Sequence, residues 1–334
     1  MEEMVCAKSE SEDQEGFILM VTVQNKNLSM RGFTIVELLV ASTCMILIIA
    51  AGYGIFSQQS RIANNEQEHV ILQANAKILM ERLSFLFSHV GFGCASSFYA
   101  GKKMVGEDPD TNNEVKVDCF FYEIQNENIN ATSMISDSVV VVYGINEWEP
   151  LSSTPSGFSI EFIDEPSPPM DKLASSFKKY LSLFPDDEPN NFYEITGIDS
   201  DKKGCTLDRE ISSDYMHDIN VYIVAPTRVK IKDNMLYFQN FVYNNSQFWE
   251  IGEWVECMQL QYTKDGSTWY DELSGSDRFK IRGVKIFLLL RSEEEISGYT
   301  SNATFTLAGQ TVGPFADHYY RELHEQVVWT RNLQ

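Results

Sequence analysis

Arg31-Gly32-Phe33-Thr34-Ile35-Val36-Glu37-Leu38-Leu39-Val40-Ala41 opens a long apolar run and carries one carboxylate five positions beyond a glycine. The run extends over 24 residues, from Phe33 to Phe56, with Glu37 as its only carboxylate or base. About 20 apolar residues at roughly 1.5 Å each cross a hydrocarbon core, so the segment reads as a membrane span. A bare carboxylate at that depth costs about 2.5–3.5 kcal/mol on insertion scales, so Glu37 is expected to have a partner and a task. The run outlasts the apolar part of a secretory signal and is expected to stay attached.

Outward from this run, residues 1–32 form a leader. It holds Lys8, Lys26 and Arg31 against Glu2, Glu3, Glu10, Glu12, Asp13 and Glu15, a balance of −3. Positive charge is preferred on the cytoplasmic side. A start at Met20 leaves only Lys26 and Arg31, and the leader as written reads as over-extended. The whole chain carries −22, and −19 without the leader's charges. Such a field repels nucleic acid and anionic headgroups, so no nucleic-acid partner is expected.

On the other side, Leu72, Ala76, Leu79, Leu83, Leu86 and Val90 recur at steps of four and three, which places them on one helical stripe. The first proline is Pro109, so one helix of up to 58 residues, about 87 Å long, is allowed from Phe33 to Val90. Residues 33–56 are its transmembrane half and 57–90 an amphipathic half. Gly52 and Gly54 weaken it or serve close helix packing.

Beyond Gly91-Phe92-Gly93-Cys94 the period changes to two. Strands are predicted at Ser138 to Gly144, Val221 to Val224, Arg228 to Ile231, Met235 to Phe238, Glu256 to Tyr262, Val284 to Leu290 and Glu325 to Thr330. Lys264-Asp265-Gly266-Ser267 reads as a hairpin turn. Seven of the ten prolines fall between Pro150 and Pro189, a segment read as a lobe or insertion with a short helix near Lys172 to Leu183. The expected fold class is α+β, a long N-terminal helix packed on a β-rich, mainly antiparallel head over 91–334.

Cys6 lies in the leader and Cys44 in the span. Cys94, Cys119, Cys205 and Cys257 remain, an even number that fits disulfides in an oxidising compartment with three pairings open. Sequence proximity favours Cys94 with Cys119 and Cys205 with Cys257. No two have a zinc-like spacing, and no metal or cofactor is expected. Asp108-Pro109-Asp110-Thr111-Asn112 begins like a calcium loop, but Asn113 and Cys119 stand where the turn glycine and bidentate Glu belong. The five histidines are scattered. Asp317-His318 beside His324 and Glu325 reads as a structural cluster, and with no HExxH, GxSxG or P-loop in the chain, no enzyme is expected. Trp148, Trp249, Trp254 and Trp269 are candidate ligand-surface or core aromatics.

The basic-Gly-Phe-x-x-x-Glu pattern resembles the processing motif of type IV prepilins. That resemblance implies cleavage by a prepilin peptidase between Gly32 and Phe33, N-methylation of Phe33, and a role in assembly for Glu37, which would meet the ammonium of Phe33 or of its neighbour's counterpart. The run Ser84 to Cys94, Ser136-Asp137-Ser138-Val139, Val255-Glu256-Cys257-Met258-Gln259-Leu260-Gln261-Tyr262, Ile281-Arg282-Gly283-Val284 to Leu290-Arg291-Ser292, and Val327-Val328-Trp329-Thr330-Arg331-Asn332 are similar, in that order, to PilW-type minor pilins. Around Tyr319-Tyr320-Arg321-Glu322 the chain lacks the run of arginines expected before the last strand. The resemblance implies a subunit that primes pilus assembly with other minor pilins, near the tip. It implies major and minor pilins, the inner-membrane assembly platform and a tip adhesin as partners. The implied location is the inner membrane, single-pass with a periplasmic head, and then the surface pilus. A J-type pseudopilin of type II secretion and a pilin-anchored adhesin are the alternatives.

Overall fold

The computed structural model describes residues 34–93, 98, 101, 103–125, 136–148, 157–166, 169–170, 173, 177–184, 192–211, 220–242, 248–296 and 298–331. The chain divides into two compact units, 1–60 and 61–334. Helix α1 (Ile35–Ser88) runs 54 residues without a break. Among the described residues, sixteen strands follow in chain order. They are β1 (Met104–Glu107), β2 (Glu114–Val117), β3 (Phe121–Gln125), β4 (Ser138–Trp148), β5 (Gly157–Glu161), β6 (Tyr180–Phe184), β7 (Phe192–Ile198), β8 (Gly204–Ile211), β9 (Asn220–Lys232), β10 (Met235–Asn240), β11 (Phe248–Glu253), β12 (Val255–Thr263), β13 (Gly283–Arg291), β14 (Phe305–Leu307), β15 (Gln310–Val312) and β16 (Arg321–Trp329). The architecture is α+β, a long apolar-to-amphipathic helix followed by antiparallel sheets.

In the second unit, Leu72, Ala76, Leu79, Leu83 and Leu86 of α1 are buried, as is Val90 just past its end, joined by Met80 and Phe87. This is the stripe predicted from spacing alone. The helix stops at Gly91 and Gly93, whose φ values of 76° and 68° lie in the left-handed region that glycine enters without steric cost. The reversed chain then bonds to β4 and β6. Gly91 N–H donates to Val142 O, Gly144 N–H to Phe92 O, and the Ser182 hydroxyl to Gly93 O.

The larger sheet has nine strands, β11-β10-β9-β6-β7-β8-β5 with β4 and β3 branching from β9. Val221 to Val224 and Arg228 to Ile231, expected as two strands, are one strand, β9. Pro226 is tolerated because its carbonyl accepts from Phe241 on the side where β10 ends and β6 has yet to begin. A strand residue's N–H and C=O point the same way, so the missing donor removes one bond of the last rung past β10 and interrupts neither the β10 nor the β6 ladder. The stretch expected to hold a short helix near Lys172 to Leu183 instead carries β6, bonded directly to β9. The Pro-rich region therefore contributes to the main sheet. In β6, Tyr180, Leu181, Ser182 and Leu183 are all buried, and burial on both faces together with the ladder to β9 overrides the helical reading.

The second sheet, β12-β13-β16, is antiparallel throughout. Ile286, Leu288 and Leu290 of β13 join the core that includes the buried face of α1. The alternate residues Phe287 and Leu289 enter a smaller core with Leu307, Ala308 and Val312 of the β14–β15 hairpin. Burial on both faces explains why Ile286 to Leu290 is apolar without alternation. Asp265-Gly266 does turn the chain, but the turn returns only as the bridge Tyr262↔Tyr270, and the partner strand starts at Gly283. The two sheets are tied by the Ser136-Asp137 pair at the entrance to β4. Met258 N–H donates to Ser136 Oγ, Leu260 N–H to Asp137 Oδ2, and Asp137 N–H to Met258 O.

Candidate functional site

Of the residues singled out at the N-terminal motif, Glu37 lies within the described chain, while Gly32 and Phe33 lie outside it. Glu37 sits in the first turn of α1. Its Oε2 accepts from Thr34 N–H at 2.9 Å and from the Thr34 hydroxyl at 3.0 Å, while Glu37 N–H donates to Thr34 Oγ1 at 3.2 Å. This reciprocal arrangement is a capping box, which satisfies two of the amide groups that a helix start leaves without partners. Its signature, Thr-x-x-Glu at positions 34 and 37, is visible in the sequence but was overshadowed by the apolar run around it. Farther along, the hydroxyls of Ser42 and Thr43 donate to Leu39 O at 2.9 and 2.8 Å, so these polar atoms need no water. The helix is long and apolar enough to cross a membrane by length and composition, with the most apolar stretch entirely exposed.

Past Ser60 the exposed side of α1 is still not uniformly polar. Ile71, Ile78 and Phe85 are spaced by seven and remain 43%, 47% and 62% exposed, opposite the buried stripe. Three apolar side chains one heptad apart give that face a row that another helix can cover, without the second apolar position of a full heptad seam. Sequence reading found the buried stripe and missed this one, because both appear as apolar residues until burial separates them.

The terminal fragments of sequence singled out above converge on one buried ion cluster. The Arg321 guanidinium, at the start of β16, holds Glu256 of β12 through Nε at 2.6 Å and Nη2 at 2.9 Å, and Asp317 through Nη1 at 2.6 Å and Nη2 at 2.7 Å. It lies 3.8 Å from the ring centre of Phe315. Arg291 Nη1 stands 3.7 Å from Glu256 and its guanidinium 4.3 Å from the Tyr319 ring centre. The hydrogen bonds and charge of Arg321 hold the Asp317 carboxyl below its usual range against some burial. Burial works against the charge on Arg321, yet its two carboxylates outweigh that and raise it further. Where a run of arginines was expected, a single doubly bidentate arginine closes the edge of the sheet. Ser292, next to Arg291, accepts from Tyr320 N–H and donates to Glu294 O.

A second cluster occupies the loop considered for calcium. Arg228 of β9 binds Asp108, Asp110 and Glu123, with Gln239 alongside, and Lys230 binds Asp110. Burial alone would raise Asp108, but the hydrogen bonds from Arg228 and the loop amides lower it overall. These carboxylates serve a guanidinium and an ammonium.

Cys119, Cys205 and Cys257 are buried with free thiols, and Cys94 lies outside the described residues. The pairing of Cys205 with Cys257 is not made. Cys205, on β8, faces the main core, whereas Cys257, on β12, faces the smaller core across the second sheet. Burial pushes these two thiols up to about 12, and that of Cys119 up to about 11. The Cys119 thiol donates to Phe121 O. Among the histidines, His318 bonds to Tyr299 O, and His69 and His324 lie 3.8 and 3.6 Å from Glu322. Trp249 is 44% exposed, Trp254 and Trp269 are half-buried, and the side chain of Trp148 lies outside the description.

Residues 236–332 match the family model described as PilW, Type IV Pilus-assembly protein W. That span contains Glu256, Arg291, Ser292, Asp317 and Arg321, so the matched region includes the whole of the first ion cluster. No curated protein matches the chain. Among solved structures, a type IV-like pilin from Thermus thermophilus is similar at 12% identity with a TM-score of 0.37, covering 78% of this chain and 98% of that one.

Proposed function

We propose that the chain, whose residues 236–332 match the type IV pilus-assembly protein W family, is a PilW-type minor pilin that a prepilin peptidase processes between Gly32 and Phe33. The observation that carries this reading is α1. Its first half is apolar and exposed all round, and its second half buries one stripe in the head while offering Ile71, Ile78 and Phe85 to the outside. Such a helix suits two environments in succession, lipid first and a bundle of like helices afterwards.

In this mechanism the span holds the subunit in the inner membrane with the head in the periplasm, and assembly moves the helix from lipid into the filament. Lipid gives Glu37 no partner beyond the Thr34 cap. A bundle supplies the amino-terminal ammonium of Phe33 from a neighbour, which neutralises the carboxylate and fixes the axial stagger. Incorporation with other minor pilins, priming of the filament and a place near its tip follow from the PilW-type reading. N-methylation of Phe33 accompanies the cut.

The test is the intact mass and amino-terminal sequence of the membrane-extracted protein, from hosts with and without the peptidase. A start at methylated Phe33 that disappears without the enzyme is the expected result. An unprocessed amino terminus in both hosts sinks the reading and leaves an anchored β-rich protein.

A further inference from the structure

We infer that the recess beside Trp329 binds a neutral pyranose ring. Trp329 ends β16 with its side chain on the face of the second sheet away from the main core, and its cross-strand partner is Gly283. A Cβ on Gly283 would meet the indole Cε3 and Cζ3 at 3.0 Å, and one on Gly266, which has φ +80°, would meet Cη2 at 3.0 Å. The six-membered ring is thus supported by two residues without side chains, one in a strand and one in a turn. Shielding of a strand glycine by a cross-strand aromatic accounts for that contact. It does not account for the 52% of Trp329 that stays exposed, nor for the recess of about 550 Å³ that it lines with Asp265, Arg282 and Thr330.

The chemistry of the rim selects the ligand. Asp265 is held rigidly. Its Oδ1 accepts from Ser267 N–H at 2.9 Å and Thr268 N–H at 2.8 Å, and these amides hold the carboxyl well below its usual range. Arg282 supplies donors from an exposed position. One acid and one base cancel, so the rim favours neither cation nor anion, and the chain's −22 disfavours anions further. What remains is a ligand with a flat C–H face for the indole and neutral hydroxyls for a carboxylate and a guanidinium, which describes a hexopyranose. The recess is open to solvent and walled by Asp265, Arg282, Trp329 and Thr330, which suits a ring stacked on the indole rather than an enclosed ligand. The inference does not depend on processing or assembly.

Saturation-transfer NMR on the full-length protein, in a detergent without a sugar headgroup, tests it. The probes are methyl β-D-glucopyranoside, methyl β-D-galactopyranoside and N-acetylglucosamine, with N-acetylneuraminic acid as the anionic comparison. The expected result is transfer to the ring C–H protons of at least one neutral probe. Trp329→Ala should abolish it and Trp329→Phe should weaken it by about tenfold. Arg282→Gln, at an exposed position that leaves the core intact, should also weaken it and serves if the alanine variant does not fold. No transfer to any neutral probe, transfer that survives both Trp329→Ala and Arg282→Gln, or a stronger response from the acidic sugar overturns the inference.

Discussion

At the scale of single residues, two carboxylates define the two ends of the molecule's chemistry. Among the described residues Glu37 is bound to Thr34, an exposed cap at one end of a 54-residue helix whose remaining turns do not depend on it. Glu37→Ala is therefore expected to leave the membrane-bound amount unchanged while removing the subunit from sheared filaments, measured by immunoblot of the two fractions. Loss from the membrane fraction would point to the cap rather than to assembly. Glu256 is the contrasting case, buried and doubly bonded to Arg321. Arg321→Met leaves Glu256 with Arg291 at 3.7 Å and Asp317 partly exposed, and is expected to cost about 3 kcal/mol, the low end for a broken buried pair, in urea unfolding followed by tryptophan fluorescence. The pH dependence follows from the lowered carboxyls of Asp317 and Asp108. A folded value below the unfolded one contributes stability above the unfolded value, near pH 4, and that contribution is lost as pH falls through the folded value. The native protein should thus hold its stability from about pH 7 to 5 and lose it below about 4. The loss should be shallower in Arg321→Met.

At the scale of elements, α1 has two apolar stripes with different duties. Leu72, Ala76, Leu79, Leu83 and Leu86 belong to the core. Ile78, between Ile71 and Phe85 on the other side, contributes no buried surface of that kind. Ile78→Asp is expected to shift head stability by no more than about 0.5 kcal/mol, the range for surface substitutions, while cutting filament incorporation at least severalfold. Equal loss of head stability would show that the row belongs to the head. The buried stripe was legible from spacing, since steps of three and four can lie on one helical face only. The strand pair around Pro226 was less legible. A proline normally argues for a break, and only the positions of β6, β10 and Phe241 reveal that its missing N–H falls at the end of the β10 ladder, before β6 begins. The stretch at Asp265-Gly266 was read as a hairpin turn; the chain does return antiparallel there, but only as the bridge Tyr262↔Tyr270, because a turn signal carries no information on how far away the partner strand begins.

At the scale of the whole molecule, the proposal concerns what the chain does among other subunits. Deletion of the gene should abolish surface filaments seen by electron microscopy, with restoration by the native gene and none by the Glu37→Ala form. Normal filaments that no longer attach would support the anchored-adhesin reading, and retained filaments with lost enzyme export would support the pseudopilin reading. The acidic charge, the membrane span, the continuous helix and the β-rich remainder were all determined by sequence alone, because they depend on composition, on local period and on the position of the first proline. The same holds for the likeness to PilW-type proteins, which residues 236–332 carry. Tertiary structure alone decided the rest. It brought Glu256 and Arg321 together across 65 positions, turned Cys205 and Cys257 toward different cores, kept Ile71, Ile78 and Phe85 exposed, and laid Trp329 over two glycines. The physical reason is that local sequence sets which face of an element is apolar, whereas charge pairing, thiol pairing and exposure depend on which distant element the packed chain places against that face.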